Sequence, residues 1–173
     1  MSALPHGEFD ESGYYGPYNG LLNDLFPKQE HYMVVPLYRR PTQLTSVDFT
    51  TIFLVQQQKH PVFFIKIKPA GHINNTAPRA LTDKQMRERF EDLGDRVEIP
   101  ILHGVSAIGT KFCFYKYTKA TRALEPGRIP GSSRMVVDAA SINRWNVDIL
   151  TPQGEQRLRE VVGNVKGMCT QMG

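Results

Sequence analysis

The segment Val62–Lys68, V-F-F-I-K-I-K, followed by Pro69, constrains this chain more than any other stretch. Aromatic and β-branched residues at this density form strands, and the proline closes the run. A strand sends successive side chains to opposite faces, so Lys66 and Lys68 share one face while Ile65 and Ile67 take the other. Lys66 is an odd residue in such a run, since strand interiors bury apolar groups. The preceding run, Val47–Val55 (V-D-F-T-T-I-F-L-V), reads as a second strand, and Q-Q-Q-K-H-P turns the chain between the two. If the pair forms a hairpin, the start of one strand lies beside the end of the other. Asp48 then neighbours residues 66–68 across the sheet.

The remaining elements follow from periodicity and punctuation. Residues 1–17, rich in Gly, Pro, Ser and acids, read as a flexible arm. Residues 18–173 read as one domain. Tyr18, Leu21, Leu22, Leu25 and Phe26 recur at helical spacing until Pro27. Tyr32–Tyr38 is a strand whose proline places it at an edge. Residues 70–81 read as a loop, with Thr82 capping a helix that buries Met86, Phe90 and Leu93 and ends at Gly94. Strands at Ile99–Ser106 and Lys111–Tyr117 flank a turn at Ile108-Gly109. A long loop follows Lys119. Thr151-Pro152 opens a closing helix with Leu158, Val161, Val162 and Val165 as its buried stripe. This order calls for an α/β (α+β) fold, a central mixed sheet flanked by helices.

A chain of 173 residues with 40% apolar and 22% charged side chains is long enough to bury a core without staples. The net charge of +4 permits a nucleic-acid partner without demanding one. Its distribution says more: residues 31–90 hold nine Lys/Arg against Asp48, Asp83 and Glu88. Two cysteines, Cys113 and Cys169, argue against a disulfide framework or a cysteine metal cluster. The N-terminus lacks the pattern of a signal peptide, and the apolar runs are too short for a bilayer. An intracellular protein, cytoplasmic or nuclear, is the expectation.

The combination of V-D-F-T, a hairpin, and F-F-I-K-I-K-P resembles the PD-(D/E)xK nuclease-like superfamily, and more narrowly a group of uncharacterised fungal proteins with that core. The helix–strand–strand–strand–helix–strand order over residues 18–105 matches it. The resemblance implies a restriction-endonuclease-like core and a nuclease that hydrolyses DNA or RNA with Mg²⁺ or Mn²⁺. Asp48 corresponds to the metal-binding aspartate and Lys68 to the lysine of the motif. Lys66 stands where the motif's acid belongs. Glu30, after the first helix, matches an auxiliary acid and a second metal ligand. Gln85 matches a polar residue that joins the site.

Phosphodiester cleavage needs an aimed hydroxide and positive charge on the developing oxyanion. Two carboxylates hold Mg²⁺ while leaving it free to touch phosphate. Lys66 donates no oxygen lone pair and repels a cation. Four outcomes are open: Glu30 supplies the second carboxylate, a bulge turns Lys66 away, the site no longer cuts and its lysines hold phosphate, or Lys66 is an engineered substitution. Arg39, Arg40, His72, Arg79, Lys84 and Arg87 are candidates for a groove that contacts nucleic-acid backbone. Tyr115 and Tyr117 are either core or a base-stacking platform. Trp145 reads as an anchor for the C-terminal section. A non-catalytic module binding nucleic acid or protein is the alternative. The sequence leaves the oligomeric state open, a homodimer included.

Overall fold

A computed structural model describes residues 12–39, 50–128 and 140–172, with the side chains at 12, 38, 39, 50 and 51 excepted. Helix α1 spans Ser12–Leu25, β1 Tyr32–Arg39, β2 Thr50–Gln57 and β3 His60–Lys68. Helix α2 spans Thr76–Gly94, β4 Ile101–Ile108, β5 Lys111–Thr118 and β6 Ala123–Glu125. The short β7, Val147–Asp148, precedes α3, Pro152–Met172. The sheet runs β1-β2-β3-β4-β5-β6, with β7 also paired to β5. Among the described residues, only β3 and β4 pair in parallel, and α2 connects them. The fold is α+β, a mixed sheet flanked by helices, with the helix–strand–strand–strand–helix–strand order that the resemblance implies.

Each face of the sheet carries its own layer. On β3, Phe63 packs on Phe26, just past the end of α1, while Phe64 packs on Phe90 of α2. Alternation therefore puts Phe64, Lys66 and Lys68 on the α2 face. Their β4 partners follow: Gly104 pairs with Phe64 and Ser106 with Lys66. A Cβ on Gly104 would lie 2.7 Å from Phe90 and 2.8 Å from Phe64, so glycine here lets α2 approach the sheet. Tyr18 donates from α1 to the carbonyl of Gly109, and the Gly109 amide bonds the Lys68 carbonyl at 2.8 Å. That turn needs glycine, because φ at 109 is +61°. α1 and the β4–β5 turn thus brace the end of β3 that carries Lys66 and Lys68.

Several expectations are met. β1 forms an edge of the described sheet and keeps Pro36 in register with Phe53. The β2–β3 hairpin turns at Gln58 and Lys59, both with positive φ, as a two-residue turn requires. The Thr151 hydroxyl caps α3 by accepting from the Gly154 amide at 3.0 Å. Trp145 is buried.

Other boundaries move. α1 begins at Ser12, inside the expected arm, and contains Pro17. Burial of Tyr14 and Tyr18, with Tyr15 against Phe53, outweighs the proline. Residues 1–11 lie outside the described residues. α2 begins at Thr76, not Thr82, because Pro78 falls in its first turn, where no amide donor is missed. Thr82 is a buried helix-interior residue instead.

Candidate functional site

Strand β3 delivers both lysines to one place. Lys66 is 3% exposed and Lys68 is 1% exposed. Gln85, on α2, accepts a hydrogen bond from the Lys66 ammonium. Among the described residues, the one register shift between β2 and β3 falls at Val55/Gln56, away from Lys66, which pairs with Ile52. No bulge turns Lys66 away, and that expectation is set aside. Across the sheet, Ser106 of β4 is the register partner of Lys66, and Cys113 of β5 is the partner of Ser106. A row of polar groups therefore crosses three strands beneath α2. The Trp145 indole donates to the Ser106 hydroxyl at 3.2 Å. Burial pushes the Cys113 thiol up to about 12, so it is a neutral thiol at neutral pH.

A second polar cluster is centred on Asp83, two residues before Gln85 on α2. Asp83 accepts from Arg87 through both carboxylate oxygens, at 3.0 and 3.2 Å. It also accepts from the Tyr115 hydroxyl at 2.6 Å and from Arg144 at 3.3 Å. The two arginines reach on to backbone: Arg87 to the Pro126 carbonyl and Arg144 to the Gly127 carbonyl, both at 2.8 Å. Burial, above all, drives the Tyr115 phenol far above its ordinary pKa, with Cys113 and Asp83 adding to the shift.

The sequence-derived candidates divide accordingly. Lys66, Lys68 and Gln85 stand together at the end of β3. His72 is half-buried in the 3-10 turn Ala70–Asn74 that follows that strand directly. Asp48 and Arg40 lie outside the described residues, as does the side chain of Arg39, which ends β1. Glu30 is elsewhere. It precedes Tyr32, whose partner is Gln57, whereas Lys66 pairs with Ile52 and Ile52 with Leu37. The separation along β1 is on the order of 17 Å at about 3.4 Å per residue. Glu30 instead binds Lys166 of α3 at 2.6 Å. Among the described residues, Glu30 therefore does not stand beside Lys66.

The groove residues also separate. Arg79 is buried and clamps two carbonyls, Ala140 at 2.9 Å and Ile73 at 2.7 Å, so it is a structural tie and not part of an open groove. Arg87 is held in the Asp83 cluster. Lys84 points to solvent and pairs loosely with Glu88 at 3.9 Å. Tyr115 belongs to the core, and Tyr117 is half-buried with its ring stacked on Phe90, so they form no open platform for bases.

Asp83, Arg144 and Ser106 went unremarked in the sequence. Asp83 carried a signal: with Arg79 it continues, one and two turns earlier, the helical stripe of Met86, Phe90 and Leu93. A charged pair on an apolar stripe marks a buried network.

The resemblance implies a divalent metal, and among the described residues Lys66 and Gln85 offer it no carboxylate. The acid position holds an ammonium, and its partner Gln85 offers a neutral oxygen already taken by that ammonium. Among the described residues, no group of three or more His, Cys, Asp or Glu side chains converges. No helix of the described residues is long and apolar enough to cross a membrane.

No protein-family model matches this chain, and no curated protein matches it. Among solved structures, it is similar to a chain described as the type IIG restriction endonuclease BpuSI, at 18% identity and a TM-score of 0.49. The match covers 95% of this chain and 18% of the other, so the chain spans less than a fifth of that protein's length.

Proposed function

We propose that this domain is a PD-(D/E)xK nuclease-like module that engages the phosphodiester backbone of nucleic acid at the end of β3. In this reading Lys66 has replaced metal-dependent hydrolysis by direct capture of a phosphate. The observation that carries it is the placement of Lys66 and Lys68 side by side on the α2 face, with Gln85 beside them. Two ammonium groups on one face offer donors to phosphate oxygens and no site for a cation. Asp48 completes the reading as the acid that balances the pair. Asp48 itself lies outside the described residues, and its part in the site is a proposal from the sequence.

Binding of this kind is sequence-independent and weakens with salt. The test is fluorescence anisotropy of a labelled oligonucleotide in chelator, over a range of salt concentrations. The reading expects metal-independent binding that falls with salt and is lost in Lys68→Gln. Cleavage of plasmid DNA by the wild type with Mg²⁺ or Mn²⁺ would restore hydrolysis as the function. Absence of binding at low salt would refute the nucleic-acid assignment.

A further inference from the structure

The sheet face opposite Lys66 gathers basic groups of its own. His103 of β4 is the register partner of Phe63 on β3 and of Lys116 on β5. Phe63 packs on Phe26, so His103 and Lys116 lie on the face away from α2. Directly paired residues on one face hold their Cβ atoms about 5 Å apart. Phe114, two residues before Lys116, shares that face. The Arg157 guanidinium of α3 stands 5.1 Å from the centre of the Phe114 ring. Two strands and a helix thus bring an imidazole, an ammonium and a guanidinium to one place.

We propose that His103, Lys116 and Arg157 form an anion site that takes a phosphate dianion, free or as a monoester. The site lies on the other face from Lys66 and does not depend on the reading of β3.

The three groups are available to a ligand. Lys116 and Arg157 are exposed, and His103 is half-buried. Among the described residues, neither the His103 imidazole nor the Lys116 ammonium has a hydrogen-bond or ion-pair partner. Glu125 of β6 is the register partner of Lys116 and still forms no ion pair with it. Arg157 pairs with Glu160 at 3.7 Å, and both side chains are about half exposed, at 49% and 55%. A surface pair of this kind is weak and occupies few of the five guanidinium donors.

The electrostatics suit a doubly charged ligand. Burial, and then the charges of Lys116 and Arg157, lower the His103 pKa to about 4, so the ring is neutral at pH 7 and offers one N–H donor. Two fixed cations and one neutral donor match a dianion in charge and in acceptor oxygens. A phosphodiester carries a single charge and leaves one cation uncompensated. A dianion seated here favours the imidazolium, so binding raises the His103 pKa.

NMR of the His103 imidazole tests the site in the full chain. Inorganic phosphate, methyl phosphate and dimethyl phosphate are each titrated into phosphate-free buffer at constant ionic strength. Binding is read at about pH 7.5, where a monoester is a dianion. The first two should shift the His103 signal saturably and move its pKa from about 4 toward 6.5. Tighter binding of methyl phosphate would identify a monoester as the ligand, and tighter binding of inorganic phosphate would identify the free ion. Dimethyl phosphate should bind at least roughly ten-fold more weakly. Lys116→Met and, separately, Arg157→Met should each weaken phosphate binding roughly ten-fold, whereas Lys84→Met, at another exposed position, should leave it unchanged. The same shift with sodium chloride alone, equal binding of dimethyl phosphate, or undiminished affinity in both cluster variants would overturn the proposal. None of those failures touches the reading of Lys66 and Lys68, which oligonucleotide binding tests separately.

Discussion

Lys66 of β3 and Gln85 of α2 meet as donor and acceptor between the sheet and the helix packed on it. A charged donor and a neutral amide make a hydrogen bond of about 1.5–3 kcal/mol when desolvated. The two residues are separated along the chain by a 3-10 turn and the first half of α2. Replacing Gln85 with Leu keeps the volume and removes the acceptor. Urea unfolding should show a loss of about 1–3 kcal/mol, and Gln85→Glu, which offers a charged acceptor, should not show it. Equal losses in both variants would mean that packing, and not this hydrogen bond, is what Gln85 contributes.

The Asp83 cluster is expected to behave as one unit. Removing one partner of a buried ion pair leaves the other uncompensated, at a cost of about 3–5 kcal/mol. Asp83→Asn should lie in that range. Arg87 and Arg144 share the one carboxylate, so Arg87→Gln together with Asp83→Asn should cost clearly less than the sum of the single changes. Chemical denaturation of the double-mutant cycle checks this. Additive effects would show that the contacts act independently.

His103 gives the fold a defined acid sensitivity. Burial first, and then the charges of Lys116 and Arg157, lower its pKa from 6.5 to about 4. The folded imidazole is therefore neutral across a range where the unfolded one is protonated. Between pH 6.5 and about 4 the unfolded chain binds the extra proton, so stability falls as the pH drops through that window. His103→Gln should flatten this part of the stability profile. Lys116→Met should raise the His103 pKa measured by NMR. A His103 titrating near 6.5 in the wild type would contradict the geometry.

Much of the fold was legible in the sequence because its signals were local. Alternation in F-F-I-K-I-K fixed the faces of β3, and Pro36, Gly109 and Thr151-Pro152 marked an edge, a turn and a helix start. The early starts of α1 and α2 were hidden because Pro17 and Pro78 read as breaks, and only packing of Tyr14 and Tyr18, or the first-turn tolerance for proline, overrides that. The site divides in the same way. The union of Lys66 with Lys68 follows from period two alone. The remoteness of Glu30 does not, since it depends on which end of β1 faces which end of β3, a matter of register. The enclosure of Arg79 and Arg87 likewise comes from partners far along the chain, the carbonyls of Ala140 and Pro126.

In the proposed reading, β3 carries a nuclease-derived site in which Lys66 stands at the acid position. Lys66→Glu restores the carboxylate at that position without changing the backbone. Isothermal titration with Mn²⁺, in the wild type and in Lys66→Glu, addresses the claim directly. The account predicts no binding by the wild type, binding by Lys66→Glu, and loss of that gain when Asp48→Asn is added. Failure of Lys66→Glu to bind Mn²⁺, in protein that folds as the wild type does, would contradict it.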